Sequence, residues 1–304
     1  MLISHDVEIV KNNKYRISDN SFTGTDLVVA SFNVEGAEYE RDFETIDRIN
    51  GRFLNSSRED HKTVKMTLRY NVDKPAYAAL LKSRMQSLFS GSFYMRELAT
   101  NDNTIPYISL GQANHSFDLE YVDGRQIKVV LTSPISFDTT QTAGLIDLEF
   151  ETIGSPYFES IAYSTELEND PNLNYWDVGE ELGFDKEDVY RKCTFENLMD
   201  GWLYYAGDVT INQFTQDFTT TITLGENSSL FRFYISDSDL MEIKGLKLKK
   251  GDKIVFDGMR TYRNGKSIDE YAFGPQPMIR PGGNNFHFNQ VVDKVVYKYK
   301  LYFR

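Results

Sequence analysis

Apolar and polar residues alternate along most of this chain, the period of a strand with one buried face. In Lys62–Tyr70, the clearest run, Val64, Met66, Leu68 and Tyr70 share one face. Ser4–Val10, Asp26–Val34 and Leu145–Ile153 read as further strands, the first two separated by the polar, glycine-containing stretch Ser18–Thr25. Ser116–Val122 and Arg125–Thr132 flank Asp123–Gly124, two residues that tolerate positive φ, which predicts a hairpin. The period changes once. Tyr77, Leu80, Leu81, Met85, Leu88 and Phe89 recur at helical spacing, with Asp73 placed as N-cap, Pro75 in the first turn and Gly91 as the stop. The stripe they form is expected to pack on the core.

Gly154–Tyr157 breaks the pattern, and periodicity is lost through Asn169–Asn174. Short strands then follow one another: Val209–Asn212, Phe218–Leu224, Leu230–Ile235, Lys253–Asp257 and Lys294–Phe303, the last alternating at Val295, Tyr297, Tyr299, Leu301 and Phe303. Such spacing belongs to a sandwich or barrel. The boundary falls at about residues 154–160, and 304 residues suit two domains of roughly 150 each, 1–155 and 156–304. The fold class is mainly β. Composition agrees, since 21 Phe and 19 Tyr favour pleated, half-buried surfaces.

The net charge of −12 is evenly spread, 16 basic against 22 acidic groups in residues 1–155 and 17 against 23 in residues 156–304. Neither half is built to grip phosphates, because nucleic-acid affinity comes largely from Lys and Arg. An acidic wall past which DNA slides is compatible. No stretch approaches the ~20 apolar residues that span a bilayer, which argues against membrane insertion. The acidic start, Met1–Glu8, is unlike a secretory signal, and synthesis in a reducing cytosol is the simpler expectation.

Residues 35–61 are charge-rich with few apolar positions and read as a surface arm. The stretch from about Glu38 to Asp60 is too charged for a core and too long for a tight hairpin, so it is expected to lie on a neighbouring copy. Glu40, Arg41, Asp42, Glu44, Asp47, Arg48 and Arg52 are the candidate ring-interface residues, able to form ion pairs between subunits.

No arrangement of residues carries catalytic chemistry. His5, His61, His115 and His287 are far apart and none stands in metal-ligand spacing. Asp237-Ser-Asp239 resembles the opening of a calcium loop, but the other ligand positions and the mid-loop glycine are missing. There is no Gly-x-Ser-x-Gly elbow and no phosphate-binding glycine loop. With 45 acidic residues, some carboxylate pair falls at glycosidase distance by chance. Cys193, the one cysteine, allows no intramolecular disulfide and reads as a small buried hydrophobe. The expectation is no enzyme, no metal and no cofactor. Gly201-Trp-Leu-Tyr-Tyr205, with Tyr175-Trp176 nearby, could stack on sugars or could fill a core. Trp202, Tyr204 and Tyr205 are therefore the candidate sugar or partner surface, and strand alternation would place Trp202 and Tyr204 on one face with Leu203 and Tyr205 on the other.

In this order, the arm ending Ile49-Asn-Gly-Arg52, the single helix Pro75–Phe89, Gly251–Asp257, Asn264-Gly-Lys266 and Pro281–Phe288 resemble the distal tail proteins of long-tailed bacteriophages (siphoviruses), particularly those of Gram-positive hosts. Family members often carry a further glycine after Gly-Arg, where this chain has Phe53. Some insert a sugar-binding module, for which the C-terminal half leaves no room.

The resemblance implies an N-terminal split β-barrel with one packed helix, called a belt domain, that assembles as a six-fold ring, and a galectin-like C-terminal β-sandwich. It implies a structural virion protein at the distal tail tip, made in the host cytoplasm. The homohexamer would join the tail-tube ring to the tail-tip hub or baseplate and let DNA pass. Receptor-binding or other baseplate proteins would be further partners. The competing reading is a carbohydrate-binding module or wall-surface lectin, favoured by the aromatic cluster. A glycoside hydrolase is favoured only by the number of carboxylates.

Overall fold

A computed structural model describes residues 3–19, 21–100, 118–170, 188–212, 214–236, 238 and 240–304. His115, Ser116, Phe117, Tyr175, Trp176, Asp237 and Asp239 lie outside them. The chain divides into two compact units, Met1–Phe158 with Arg304, and Glu159–Phe303.

The first unit contains β1 (His5–Val10), β2 (Lys14–Arg16), β3 (Asp26–Val34), β4 (Tyr39–Glu44), β5 (Phe53–Glu59), β6 (Thr63–Asn71), α1 (Pro75–Leu88), β7 (Ser92–Ala99), β8 (Glu120–Tyr121), β9 (Arg125–Leu131) and β10 (Ala143–Thr152). Its main sheet is ordered β2-β1-β7-β9-β10-β6-β3, with every adjacent pair antiparallel. Val64, Met66, Leu68 and Tyr70 of β6 all face the core, as their alternation predicts. Phe89, Phe93 and Phe150 close that core in edge and tilted contacts, with ring centres 5.5 to 5.9 Å apart.

The helix has the predicted span but a different start and a narrower buried face. Lys74, not Asp73, takes the N-cap place, extended at φ −142° and ψ 143° with no side-chain cap. Pro75 forces this, because its ring bars the preceding residue from helical geometry. Ala78, Leu81, Met85 and Leu88 are buried, whereas Tyr77 and Leu80 are 46% and 47% exposed. One sheet contacts one stripe, and both residues fall outside it.

Asp123 and Gly124 take positive φ, 53° and 55°, but they do not turn the chain back. β8 and β9 both run antiparallel to β7, pairing Tyr121 with Leu98 and Ile127 with Met95. The two residues sit in a short break between two strands that share one neighbour. The expected hairpin is absent because β7, remote in sequence, supplies the pairing edge on both sides.

The chain crosses to the second unit through β11 (Phe158–Ser160), which leads into α2 (Ser164–Glu168). Then follow β12 (Thr194–Tyr205), β13 (Phe218–Leu224), β14 (Ser228–Ile235), β15 (Met241–Leu248), β16 (Lys253–Asp257), β17 (Arg260–Arg263), β18 (Lys266–Ser267), β19 (Ala272–Phe273), β20 (Gly282–Tyr299) and β21 (Tyr302–Phe303). Sheet order is β18-β17-β16-β13-β20-β14-β15-β19, with β12 alongside β20. β20 serves two neighbours in turn: Phe286–Phe288 pairs with β14, and Val292–Tyr299 pairs with β13. Phe231, Phe233, Phe256, Phe286, Phe288 and Tyr297 stack into the core beneath it.

Two expected features differ here. Val209–Asn212 forms no strand, only a bridge between Ile211 and Ile279. Pro281–Phe288 is mostly strand rather than turn: the bend is confined to Pro281 and Gly282, the latter at φ 87°. Asn284 secures it by donating to the Arg280 and Gly282 carbonyls at 2.7 and 3.0 Å and accepting the Arg280 N–H at 3.0 Å. Cys193 is fully buried with its Sγ 3.2 Å from a Glu168 carboxylate oxygen. Burial foremost, then that carboxylate, pushes the thiol far up, which suits packing and not nucleophilic attack.

Candidate functional site

The charged arm is a β-hairpin whose strands, β4 and β5, pair only with each other. It extends the β3–β6 ladder. Val34 pairs with Val64, the Glu35 N–H donates to the Thr63 carbonyl at 2.9 Å, and Glu38 exchanges backbone bonds with His61 and Asp60 at 2.7 and 2.8 Å before Tyr39 meets Glu59. The hairpin is not a tight one: Thr45–Arg52 spans its far end as a long connection. Arg48 and Gly51 take positive φ there, 68° and 106°.

Its base is tied down by Glu59, which accepts from the Tyr39 hydroxyl and from Arg304 Nε, both at 3.1 Å. Burial alone would raise the Glu59 carboxyl, but hydrogen bonds from Tyr157, Tyr39 and Arg304 outweigh it and hold the group below the ordinary carboxylate range.

The seven candidate charges do not pair with one another. Glu40 accepts from Arg58 Nε at 2.6 Å, Asp42 from Asn55 at 3.3 Å, and Arg41 and Arg52 lie over the Tyr39 and Phe43 rings. Glu44 stands opposite Phe53, and Asp47 and Arg48 are exposed in the connection. More telling are residues the charge pattern hid. Tyr39, Phe43, Ile46, Ile49, Phe53 and Leu54 are each 40–54% exposed, and Phe43 and Leu54 are direct cross-strand neighbours. Apolar residues recurring inside a charged arm were the signal available.

On β12, alternation separates the aromatic cluster as expected. Leu203 and Tyr205 are fully buried, so Tyr205 lies off any sugar or partner surface; its hydroxyl accepts from the Tyr302 N–H at 3.0 Å. Trp202 and Tyr204 face outward and are half-buried, packed edge-on by Tyr190 with ring centres at 5.8 and 4.8 Å. The Trp202 ring lies against Gly283, where a Cβ would come within 2.5 Å of Nε1. Beside them Asp200 and His287 are register partners and hydrogen-bonded.

Among the described residues, no cluster of three or more His, Cys, Asp or Glu is placed to hold a metal ion, and no helix is long and apolar enough to cross a membrane. His5 pairs with Glu97 at 2.7 Å and His61 with Asp60 at 3.0 Å.

The chain is similar over 98% of its length to 99% of the SPP1 Dit (gp 19.1) protein, with TM-score 0.58 and 8% identity. That crystal structure is presented as a paradigm of the hub adsorption apparatus in phages that infect Gram-positive hosts. Weaker likenesses are to the phage p2 baseplate in its activated conformation with Sr, TM-score 0.39 at 6% identity over 98% of this chain and 97% of that one, and with Ca, TM-score 0.38 at 7% identity over 99% and 98%. No family model and no curated protein sequence matches the chain.

Proposed function

We propose that the chain is a structural component of the distal tail tip of a long-tailed phage, forming through its first unit a six-fold ring that joins the tail tube to the hub and lets DNA pass. The observation that carries this reading is the β4–β5 arm. Six large apolar side chains stand exposed on a hairpin that covers no core of its own. Burying what remains exposed on each is worth about 1 kcal/mol, enough in sum to matter against the cost of association. A hairpin reaching one way suits a head-to-tail contact, which closes as a ring when the rotation permits.

The fold shared with SPP1 Dit supports the same role. So does a net charge of −12, which disfavours retention of a polyanion in the lumen. The role is a passive joint requiring neither catalysis nor a metal, with the tube ring, the hub and other baseplate proteins as partners in the virion. Negative-stain images of the purified full chain test it. Rings with six-fold symmetry and a central opening support the proposal, and fields of isolated single copies overturn it.

A further inference from the structure

The second unit presents a sheet face whose chemistry differs from that of the arm. Across β12, β20 and β14 the inward positions are filled by Leu203, Phe286, Phe233 and their neighbours, all buried. The outward positions form two rows. In one, Trp202 stands beside Asn285; in the other, Asp200, His287 and Tyr234 are in register across three strands. His287 is hydrogen-bonded to the Asp200 carboxylate, and its ring centre is 5.2 Å from that of Tyr234. Gly283 lets the Trp202 ring lie low over β20, while Tyr190 braces both Trp202 and Tyr204. The rings are held before any ligand arrives, which lowers the entropy lost on binding.

The charges of this face are matched within it. Arg232 Nε bonds Glu242 at 2.6 Å and Lys244 lies 3.7 Å from the same carboxylate, so these two cations are offset by the two carboxylates of the face, Glu242 and Asp200. A polyanion or polycation therefore finds no surplus charge. An apolar peptide finds no unbroken apolar stripe, because Asp200, Asn285 and His287 stand between the rings. What fits is a neutral ligand with an apolar side for stacking and hydroxyls for the carboxylate, amide and imidazole, as in sites that combine aromatic walls with a few placed polar groups.

We infer that this face binds a neutral glycan, with Trp202 and Tyr204 as the stacking platform and Asp200, Asn285 and His287 as hydrogen-bonding partners of its hydroxyls. Such a site stands whether or not the chain forms a ring, so its success or failure is read separately from the tail-tip role.

The test is saturation-transfer NMR on the full chain with three neutral probes at about 5 mM, a concentration suited to weak sites: the tetrasaccharides of β-1,4-linked N-acetylglucosamine, α-1,4-linked glucose and β-1,4-linked galactose. At least one is expected to show transfer. Asn285→Ala and His287→Ala, both outward-facing, are each expected to weaken it about three- to tenfold, the range of one neutral hydrogen bond, with melting unchanged. Trp202→Ala is expected to abolish it. No transfer from any probe, or undiminished transfer in both Asn285→Ala and His287→Ala, overturns the inference, as does binding of an anionic heparin hexasaccharide in place of the neutral probes.

Discussion

Arg52 holds its guanidinium carbon 3.9 Å from the centre of the Phe43 ring, across the end of the β4–β5 hairpin. A cation over an exposed ring contributes about 0.5–1 kcal/mol, enough to bias where the long connection leaves the hairpin. Phe43 is also the cross-strand neighbour of Leu54, so the contact fixes one corner of the arm's apolar patch.

If that patch seats on a neighbouring copy, Phe43→Ser combined with Leu54→Ser disperses the assembly without unfolding the chain. Both side chains are exposed, and exposed substitutions usually change stability by no more than about 0.5 kcal/mol. Light scattering is expected to show loss of the large species while the melting temperature of the remaining copies stays near that of the parent.

Gly201 pairs in register with Phe286, and a Cβ on it would overlap the Phe286 ring. Phe286 is itself packed among Phe195, Phe288 and Tyr297 and has no room to retreat. Gly201→Ala is expected to cost about 1–3 kcal/mol by overpacking. Gly36→Ala is the control, because nothing lies within 4 Å of its Cβ position, and chemical denaturation of the two variants makes the comparison.

Tyr297 is fully buried and its hydroxyl has no hydrogen-bond partner among the described residues. Desolvating an unpaired hydroxyl costs about 1–3 kcal/mol by the measure of protein mutations. Tyr297→Phe is therefore expected to stabilise the second unit by about 1 kcal/mol, seen as a higher denaturation midpoint at unchanged slope.

Asp252 ties the turns around β16, accepting from the Lys249 N–H at 2.7 Å, Asn264 Nδ2 at 2.9 Å and Arg263 Nη2 at 2.6 Å. Burial would raise this carboxyl, but the bonds from Lys249, Asn264 and Arg263 outweigh it and hold the group below the ordinary range. A carboxyl depressed in the folded state stabilises at pH values above its unfolded pKa, and that stability is lost as pH falls through the folded pKa. Asp252→Asn is expected to lower the melting temperature at pH 7, with the gap to the parent closing below about pH 4. A gap that stays constant down to pH 2.5 contradicts this assignment.

Strands flanked by local turn chemistry were legible in the sequence with their boundaries. Asp26–Val34, Phe218–Leu224 and Lys253–Asp257 coincide with β3, β13 and β16. Features decided by distant partners were not. β20 runs unbroken for 18 residues because it serves two neighbours in succession, and the Asp123–Gly124 break makes no hairpin because β7 offers a continuous edge. Tyr77 and Leu80 match the helical period, but no periodicity shows how wide a face the sheet will cover. At the arm, charge was the visible signal and drew attention to Glu40 and Arg41. The exposed Phe43, Ile46, Ile49, Phe53 and Leu54 became evident only once the hairpin was seen to stand apart from any core.

A ring-forming joint must be an oligomer in solution. Sedimentation equilibrium of the full chain, from low to high micromolar concentration in physiological salt, measures it directly against the monomer mass of 35.1 kDa. A six-fold ring predicts a single species of six times that mass, unaffected by chelators and dispersed by the Phe43→Ser, Leu54→Ser pair. A species that stays at the monomer mass over the whole range contradicts it.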